Sequence, residues 1–180
     1  MLLTVADFQL IAFTHPEIEE GEAERITGWL ETGFSRVHLR KPRWEAQRVD
    51  KLLQRLSPTL WPRITLHDHE ELALAYGTGF QTNSRNSSVS DEVVCHSHSC
   101  HSMEQARLSK RCDYVTLSPV YPSISKPGYE SQVNLIAEVR AADKTALPPL
   151  IALGGVTFEK LDELRNAGFA GAAMLGALYK

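Results

Sequence analysis

Three stretches between residues 113 and 176 place turn-forming, phosphate-compatible groups directly after short apolar runs. In the first, Asp113–Ser118 reads as a strand opening into Pro119-Val-Tyr-Pro-Ser-Ile-Ser-Lys126, a loop with the hydroxyls of Ser123 and Ser125 and the ammonium of Lys126. In the second, Leu150-Ile-Ala-Leu153 ends in Gly154-Gly155 just before a helical stretch. In the third, Ala172-Ala-Met-Leu175 ends at Gly176. Glycine lets the backbone approach a ligand closely, and amides at helix starts attract anions. Three such turns in succession imply one pocket for a phosphorylated small molecule.

The elements that must position these groups alternate along the chain. Strands are expected at Gln9–Phe13, Ser35–Leu39, Arg63–His67, Gly79–Thr82, Val93–Ser97, Tyr114–Ser118, Leu150–Leu153 and Gly171–Leu175. Helices are expected between them, at Glu19–Thr32, Arg43–Leu56, Glu70–Tyr76, Met103–Lys110, Val133–Ala142 and Phe158–Ala167. The stretch 43–56 shows the helical spacing well, with Val49, Leu52, Leu53 and Leu56 on one face. All nine prolines, Pro62 among them, are expected outside helix interiors. Eight strands in 180 residues leave about 22 residues per unit, which suits βα repetition. The expected fold is a compact (βα)8 TIM barrel forming a single domain over residues 1–180. An open doubly wound sheet is the alternative. The polar stretch 83–92 is expected to reduce the fourth helix to a loop, and the few residues after Gly176 to truncate the last one. A wall left bare there could be covered by a second copy, so a homodimer is expected.

In a barrel, chemistry sits where strands end and the next loops begin. The expected strand ends supply His38, Arg40 and Lys41, then His67 and Asp68, Gln81 and Asn83, and Ser99 and His101. Ser118, Ser123, Ser125, Lys126, Gly154, Gly155 and Gly176 complete the rim. Lys41, next to Arg40 on an extended chain, is expected to point the other way.

Composition excludes several classes of partner. The formal net charge is −3, with basic residues scattered, so neither nucleic acid nor an acidic membrane surface is expected. No apolar run approaches the roughly 20 residues needed to span a bilayer. The amino terminus lacks a signal-peptide pattern, and three cysteines without CxxC spacing predict no disulfide framework. A cytoplasmic protein is expected.

Six motifs in order, His38-Leu-Arg40, Leu66-His-Asp68, Ser99-Cys-His-Ser102, Pro119–Lys126, Ala152-Leu-Gly-Gly155 and Met174-Leu-Gly-Ala177, make the chain similar to the thiamine phosphate synthase/TenI family over essentially its whole length. The resemblance implies a (βα)8 barrel that binds thiazole phosphate in thiamine biosynthesis. Ser123, Ser125 and Lys126 match the family's loop after the sixth strand, and Gly155 and Gly176 its backbone phosphate donors. Asp68 matches the first of two magnesium-binding aspartates of the synthase branch, whereas the second falls near Asn86. His67 stands where that branch has Asn, His38 where it has Gln, and Pro42 where it has Lys. The other branch is a metal-independent thiazole tautomerase, which this chain resembles through His38 and through His101 within Ser-x-His-Ser. A tautomerase needs an acid–base group that takes and returns a proton near neutral pH, and histidine suits that role. The leading expectation is therefore a tautomerase that uses no cofactor. His101 is its proton shuttle and His38 assists, while Arg40, His67 and Ser99 hold the substrate. The alternative is a synthase using Mg at Asp68 to couple pyrimidine pyrophosphate to thiazole phosphate. A third reading is a non-catalytic protein that binds the thiazole phosphate.

Plainer readings stand beside these. Ser102 and Gln105 can form a capping box that makes the surrounding His and Ser purely local structure. The tract Cys95-His-Ser-His-Ser-Cys-His101 suggests a metal site, but strand alternation sends neighbouring residues to opposite faces. Gly154 and Gly155 can serve packing alone, and Asp68 can be a helix cap.

Overall fold

Eight parallel strands pair in chain order, and β8 returns to β1 to close a barrel. This computed structural model describes residues 8–17, 20–121 and 134–179. The strands are β1 (Gln9–Phe13), β2 (Arg36–Leu39), β3 (Ile64–Leu66), β4 (Gly79–Thr82), β5 (His96–Cys100), β6 (Tyr114–Leu117), β7 (Leu150–Ala152) and β8 (Gly171–Met174). The helices are α1 (Glu22–Glu31), α2 (Ala46–Gln54), α3 (Glu70–Tyr76), α4 (Met103–Leu108), α5 (Leu135–Ala141) and α6 (Leu161–Ala167). No helix of the described residues is long and apolar enough to cross a membrane.

Period-two alternation separates two cores. Outward residues such as Ala12, Val37, Leu39, Leu66, Val115 and Leu117 join one apolar cluster with Ile26, Leu53, Val139 and Leu164 of the helices. Inward residues Ile11, Phe13, Ile151 and Ala173 form a second cluster with Cys95 and Tyr114 inside the barrel. The apolar half of that interior comes from β1, β7 and β8. The half lined by β2 to β6 is polar, with His38, Thr65, Gln81, Ser97 and Thr116 all buried. Each buried polar group there has a partner, as burial demands.

The reduced fourth helix is observed: residues 83–95 contain none, and the Asn83 side-chain oxygen Oδ1 instead accepts from the backbone N–H of Arg85 and Asn86 at 2.9 and 3.1 Å. Only a 3-10 turn, Gly176–Leu178, follows β8. The clearest difference from expectation is β5, which begins at His96 rather than Val93. Two β-branched valines favour a strand at 93–94, yet Val94 is exposed, and the strand forms from His96-Ser-His-Ser-Cys100 instead. Outward-facing His96 and His98 both meet the Thr82 hydroxyl, at 2.8 and 2.7 Å, which anchors this polar strand to β4. Pro62 also differs, since it lies inside a 3-10 helix, Pro58–Arg63. The stretch expected to be one helix over 158–167 divides into a 3-10 turn, Phe158–Lys160, followed by α6.

The loop after β1 and the turn after β8 are tied together at the barrel mouth. Lys41 is almost fully buried and points away from the cavity, pairing with Glu22 and donating to the His15 carbonyl at 2.6 Å. Tyr179 donates to Glu22 at 3.1 Å and accepts from the His15 backbone N–H at 2.8 Å. The loop after β1, the loop after β2, α1 and the end of the chain therefore share one buried cluster.

Candidate active site

A cavity of about 460 Å³ opens where the strands end. The ends of β2 and β3 bring Arg40, His67 and Asp68 to it, and β5 brings Ser99 and His101. Phe13 and Leu153 supply an apolar wall. The loop after β4 adds Asn83, Ser84, Arg85 and Asn86. Seven residues expected at the strand ends, Arg40, His67, Asp68, Gln81, Asn83, Ser99 and His101, thus share one cavity.

Local bonds fix their approach. The Arg40 backbone N–H donates to the Thr14 hydroxyl at 3.0 Å, leaving its exposed guanidinium without a partner among the described residues. Asp68 is likewise exposed and unpaired among them. His101 precedes a helix cap: its backbone N–H donates to the Gln105 side chain at 2.6 Å, and the Gln105 N–H donates to the Ser102 hydroxyl at 3.2 Å. Ser102 therefore caps the helix as expected, while the Gln105 side chain returns to the His101 N–H, not to that of Ser102, and steadies His101. The His101 ring sets Nδ1 3.0 Å from the Ser118 carbonyl oxygen. A carbonyl only accepts, and the Ser118 hydroxyl 3.3 Å away can accept as well, so Nδ1 carries a proton and the singly protonated ring has a bare Nε2.

His38 lies elsewhere than expected. It is fully buried one layer below the cavity, with Nδ1 2.9 Å from His67 Nε2 and Nε2 2.6 Å from the Tyr114 hydroxyl. Both ring nitrogens are taken, so His38 does not meet a ligand directly. Burial, then the neighbouring His67 and Arg36, hold its imidazole well below the usual range. Burial, then Arg40, push His67 down to about 3. Both rings are neutral near pH 7. Burial pushes Tyr114 up to about 12, so it stays protonated.

The three glycines expected to bind phosphate do not line this cavity. Gly154 and Gly155 have φ of 97° and 62°, in the left-handed region. A Cβ on Gly154 would meet Pro119 Cα at 2.9 Å, and the Gly154 carbonyl accepts from Tyr121 at 3.2 Å. Packing thus explains Gly154. The backbone N–H groups of Gly155 and Gly176 have no acceptor among the described residues, and nothing lies within 4 Å of a Cβ built on Gly176. Ser123, Ser125 and Lys126 lie outside the described residues.

The cysteine–histidine tract disperses. Cys95 enters the interior cluster, Cys100 the outer core, and His96 and His98 bond Thr82 on the outer face. Two contributors were missed by sequence reasoning. Arg85 adds a second guanidinium to the cavity, and its position beside Asn86 was the available signal. Tyr114 supports His38 from the start of β6, and nothing local in the sequence marks it.

Known proteins resemble the chain over most of its length. The sequence model of the family described as thiamine monophosphate synthase (TMP-TENI) matches residues 9–178. A putative thiamine-phosphate synthase of Geobacter sulfurreducens is 29% identical over 165 residues, covering 85% of this chain and 77% of that protein. A thiamine-phosphate synthase of Pasteurella multocida is 32% identical over 127 residues, covering 63% of this chain and 56% of its own length. The crystal structure of a thiamine phosphate pyrophosphorylase from Bacteroides thetaiotaomicron gives a TM-score of 0.79 at 33% identity, covering 96% of this chain and 85% of that one. These relatives carry the synthase name, which favours the alternative expected from sequence over the leading tautomerase. The chain belongs to the thiamine monophosphate synthase family.

Proposed function

We propose that this chain is a thiamine-phosphate synthase, coupling a pyrimidine diphosphate to a thiazole phosphate with departure of diphosphate. The observation that carries the reading is the charge set of one cavity: the guanidiniums of Arg40 and Arg85 and the carboxylate of Asp68, none paired with another described side chain. As the carbon–oxygen bond breaks, its electron pair leaves with the diphosphate. Two guanidiniums at that edge stabilise the growing charge by charge-assisted hydrogen bonds. The apolar wall of Phe13 and Leu153 suits the flat ring beside it.

Magnesium fits this donor set. It prefers hard oxygen ligands and is commonly held by one or two carboxylates together with ligand phosphates. Asp68 supplies one carboxylate, and Asn86 offers an amide oxygen on the same cavity. When bound there, the ion would add positive charge toward the departing diphosphate. Asn86 in place of a second carboxylate implies weaker holding of the free ion.

A second reading, the tautomerase, is favoured by His101, whose bare Nε2 belongs to a ring lining the cavity. One assay separates the two. The synthase forms thiamine phosphate only with magnesium, stops with EDTA, and loses most activity in Asp68→Asn. A tautomerase ignores EDTA, forms no thiamine phosphate, and loses turnover in His101→Ala. A protein that binds thiazole phosphate and turns over neither substrate would overturn both. The proposal includes a single cytoplasmic domain acting as a homodimer, which light scattering tests directly.

A further inference from the structure

We infer that a directed chain of hydrogen bonds inside the barrel, Arg36–Thr65–Tyr114–His38–His67, locks His67 as an Nδ1–H donor facing the cavity. Arg36 and Tyr114 are thus positioning residues for a ring they do not touch. His67 and His101 then present opposite polarities to one ligand.

The direction follows from which groups can only donate. Arg36 Nη1 lies 3.1 Å from the Thr65 hydroxyl oxygen, and a guanidinium has no acceptor. Thr65 therefore accepts there, and its own proton is free for the Tyr114 oxygen, a longer contact at 3.4 Å. Tyr114 carries a single proton, and its oxygen is 2.6 Å from His38 Nε2. A phenol is the stronger donor and an imidazole nitrogen the stronger acceptor, so Tyr114 donates. Neutral His38 then holds its proton on Nδ1, 2.9 Å from His67 Nε2. Two ring nitrogens at that separation share one proton, so His67 Nε2 accepts. The remaining proton of neutral His67 belongs on Nδ1. That atom has no partner among the described residues, yet no buried polar atom of the described residues lacks one, so Nδ1 opens on the cavity that His67 lines.

His101 is set the other way, with Nδ1–H spent on the Ser118 carbonyl and Nε2 bare. A ligand that fits both rings places an acceptor, such as an unprotonated ring nitrogen or a carboxylate oxygen, against His67. It places an N–H or O–H against His101. An isostere with the two groups exchanged meets donor with donor at His67 and acceptor with acceptor at His101, a mismatch that disfavours binding. Only the identity of the ligand rests on the synthase reading; the proton positions do not.

The test is long-range proton–nitrogen NMR on protein labelled with 15N-histidine, with rings assigned from His38→Gln, His67→Asn and His101→Asn. In the wild-type protein, His38 and His67 should each show a protonated Nδ1 and a bare Nε2. A His67 protonated on Nε2, or exchanging between forms, overturns the inference. In Tyr114→Phe the lock is lost, so the His67 Nε2 resonance should move off its unprotonated position, although Tyr114 and His67 share no contact. An unchanged His67 spectrum in that folded variant also overturns it. Should Tyr114→Phe not fold, the wild-type spectrum decides alone. An inactive synthase with the expected spectra would sink the reaction and leave the proton assignment standing.

Discussion

At the scale of single residues, the site is a set of charges and protons held apart by burial. His38 illustrates the cost. Its folded imidazole stays neutral well below the usual range because it is buried, whereas in the unfolded chain it titrates near 6.5. Below about pH 6.5 the unfolded state binds a proton that the folded state refuses, so stability falls as pH drops. We therefore expect the urea midpoint to fall between pH 7.5 and 5.5, with a shallower fall in His38→Gln, which has nothing to protonate there. Equal slopes in the two proteins would refute the assignment. Asn86 gives a second prediction. Asn86→Asp supplies the missing carboxylate, so calorimetric titration should show magnesium binding several-fold more tightly than to the wild-type protein. An unchanged affinity would place the ion elsewhere. Much at this scale was legible in the sequence, because strand ends alone nominated Arg40, His67, Asp68, Ser99 and His101. His38 was misplaced because it precedes a strand end by one residue, and alternation buried it inside. Arg85 was missed because a polar serine-rich loop gives no periodic pattern from which to read direction.

At the scale of elements, what matters is how closely strands and helices approach. Gly171 begins β8 opposite Gln9 of β1, and a Cβ built there would lie 2.4 Å from the Gln9 carbonyl oxygen and 2.8 Å from Ile151 Cδ1. A backbone oxygen in a closed barrel cannot retreat, so Gly171→Ala should destabilise by about 1–3 kcal/mol or more. Gly28 is the opposite case: it sits inside α1 with nothing within 4 Å of a built Cβ. There Ala removes the entropic weakness of glycine in a helix, and Gly28→Ala should stabilise by about 0.5–1 kcal/mol. Thermal melts of the two variants should move in opposite directions. Strand order and helix positions were readable because the apolar period changes from two to about 3.6 along the chain. Strand β5 was displaced for a physical reason. Its hold comes from Thr82 on the neighbouring strand, a contact invisible until the strands are paired.

At the scale of the whole molecule, closing the barrel demands that its first and last segments meet, and the Lys41 cluster sits at that seam. The Lys41 ammonium and Glu22 carboxylate are both buried, and Glu22 also receives the Tyr179 hydroxyl from the far end of the chain. Burying two charges costs much of what their attraction returns, so the pair contributes little net stability against an apolar replacement. Removing one partner is different, because the other charge is left in a site built without water. Glu22→Gln should therefore cost about 3–5 kcal/mol in urea unfolding, whereas the double replacement Glu22→Leu with Lys41→Met should recover much of the loss. Tyr179→Phe removes both the hydrogen bond to the Glu22 carboxylate and the acceptor of the His15 N–H, and should cost about 1.5–3 kcal/mol or more. The same seam holds the loop after β1 against the loop after β2, where Arg40 enters the cavity. In the proposed synthase reaction, Glu22→Gln should therefore raise KM for the pyrimidine diphosphate even at temperatures where the variant is fully folded. If stability falls while KM stays fixed, the cluster closes the barrel without placing the arginine.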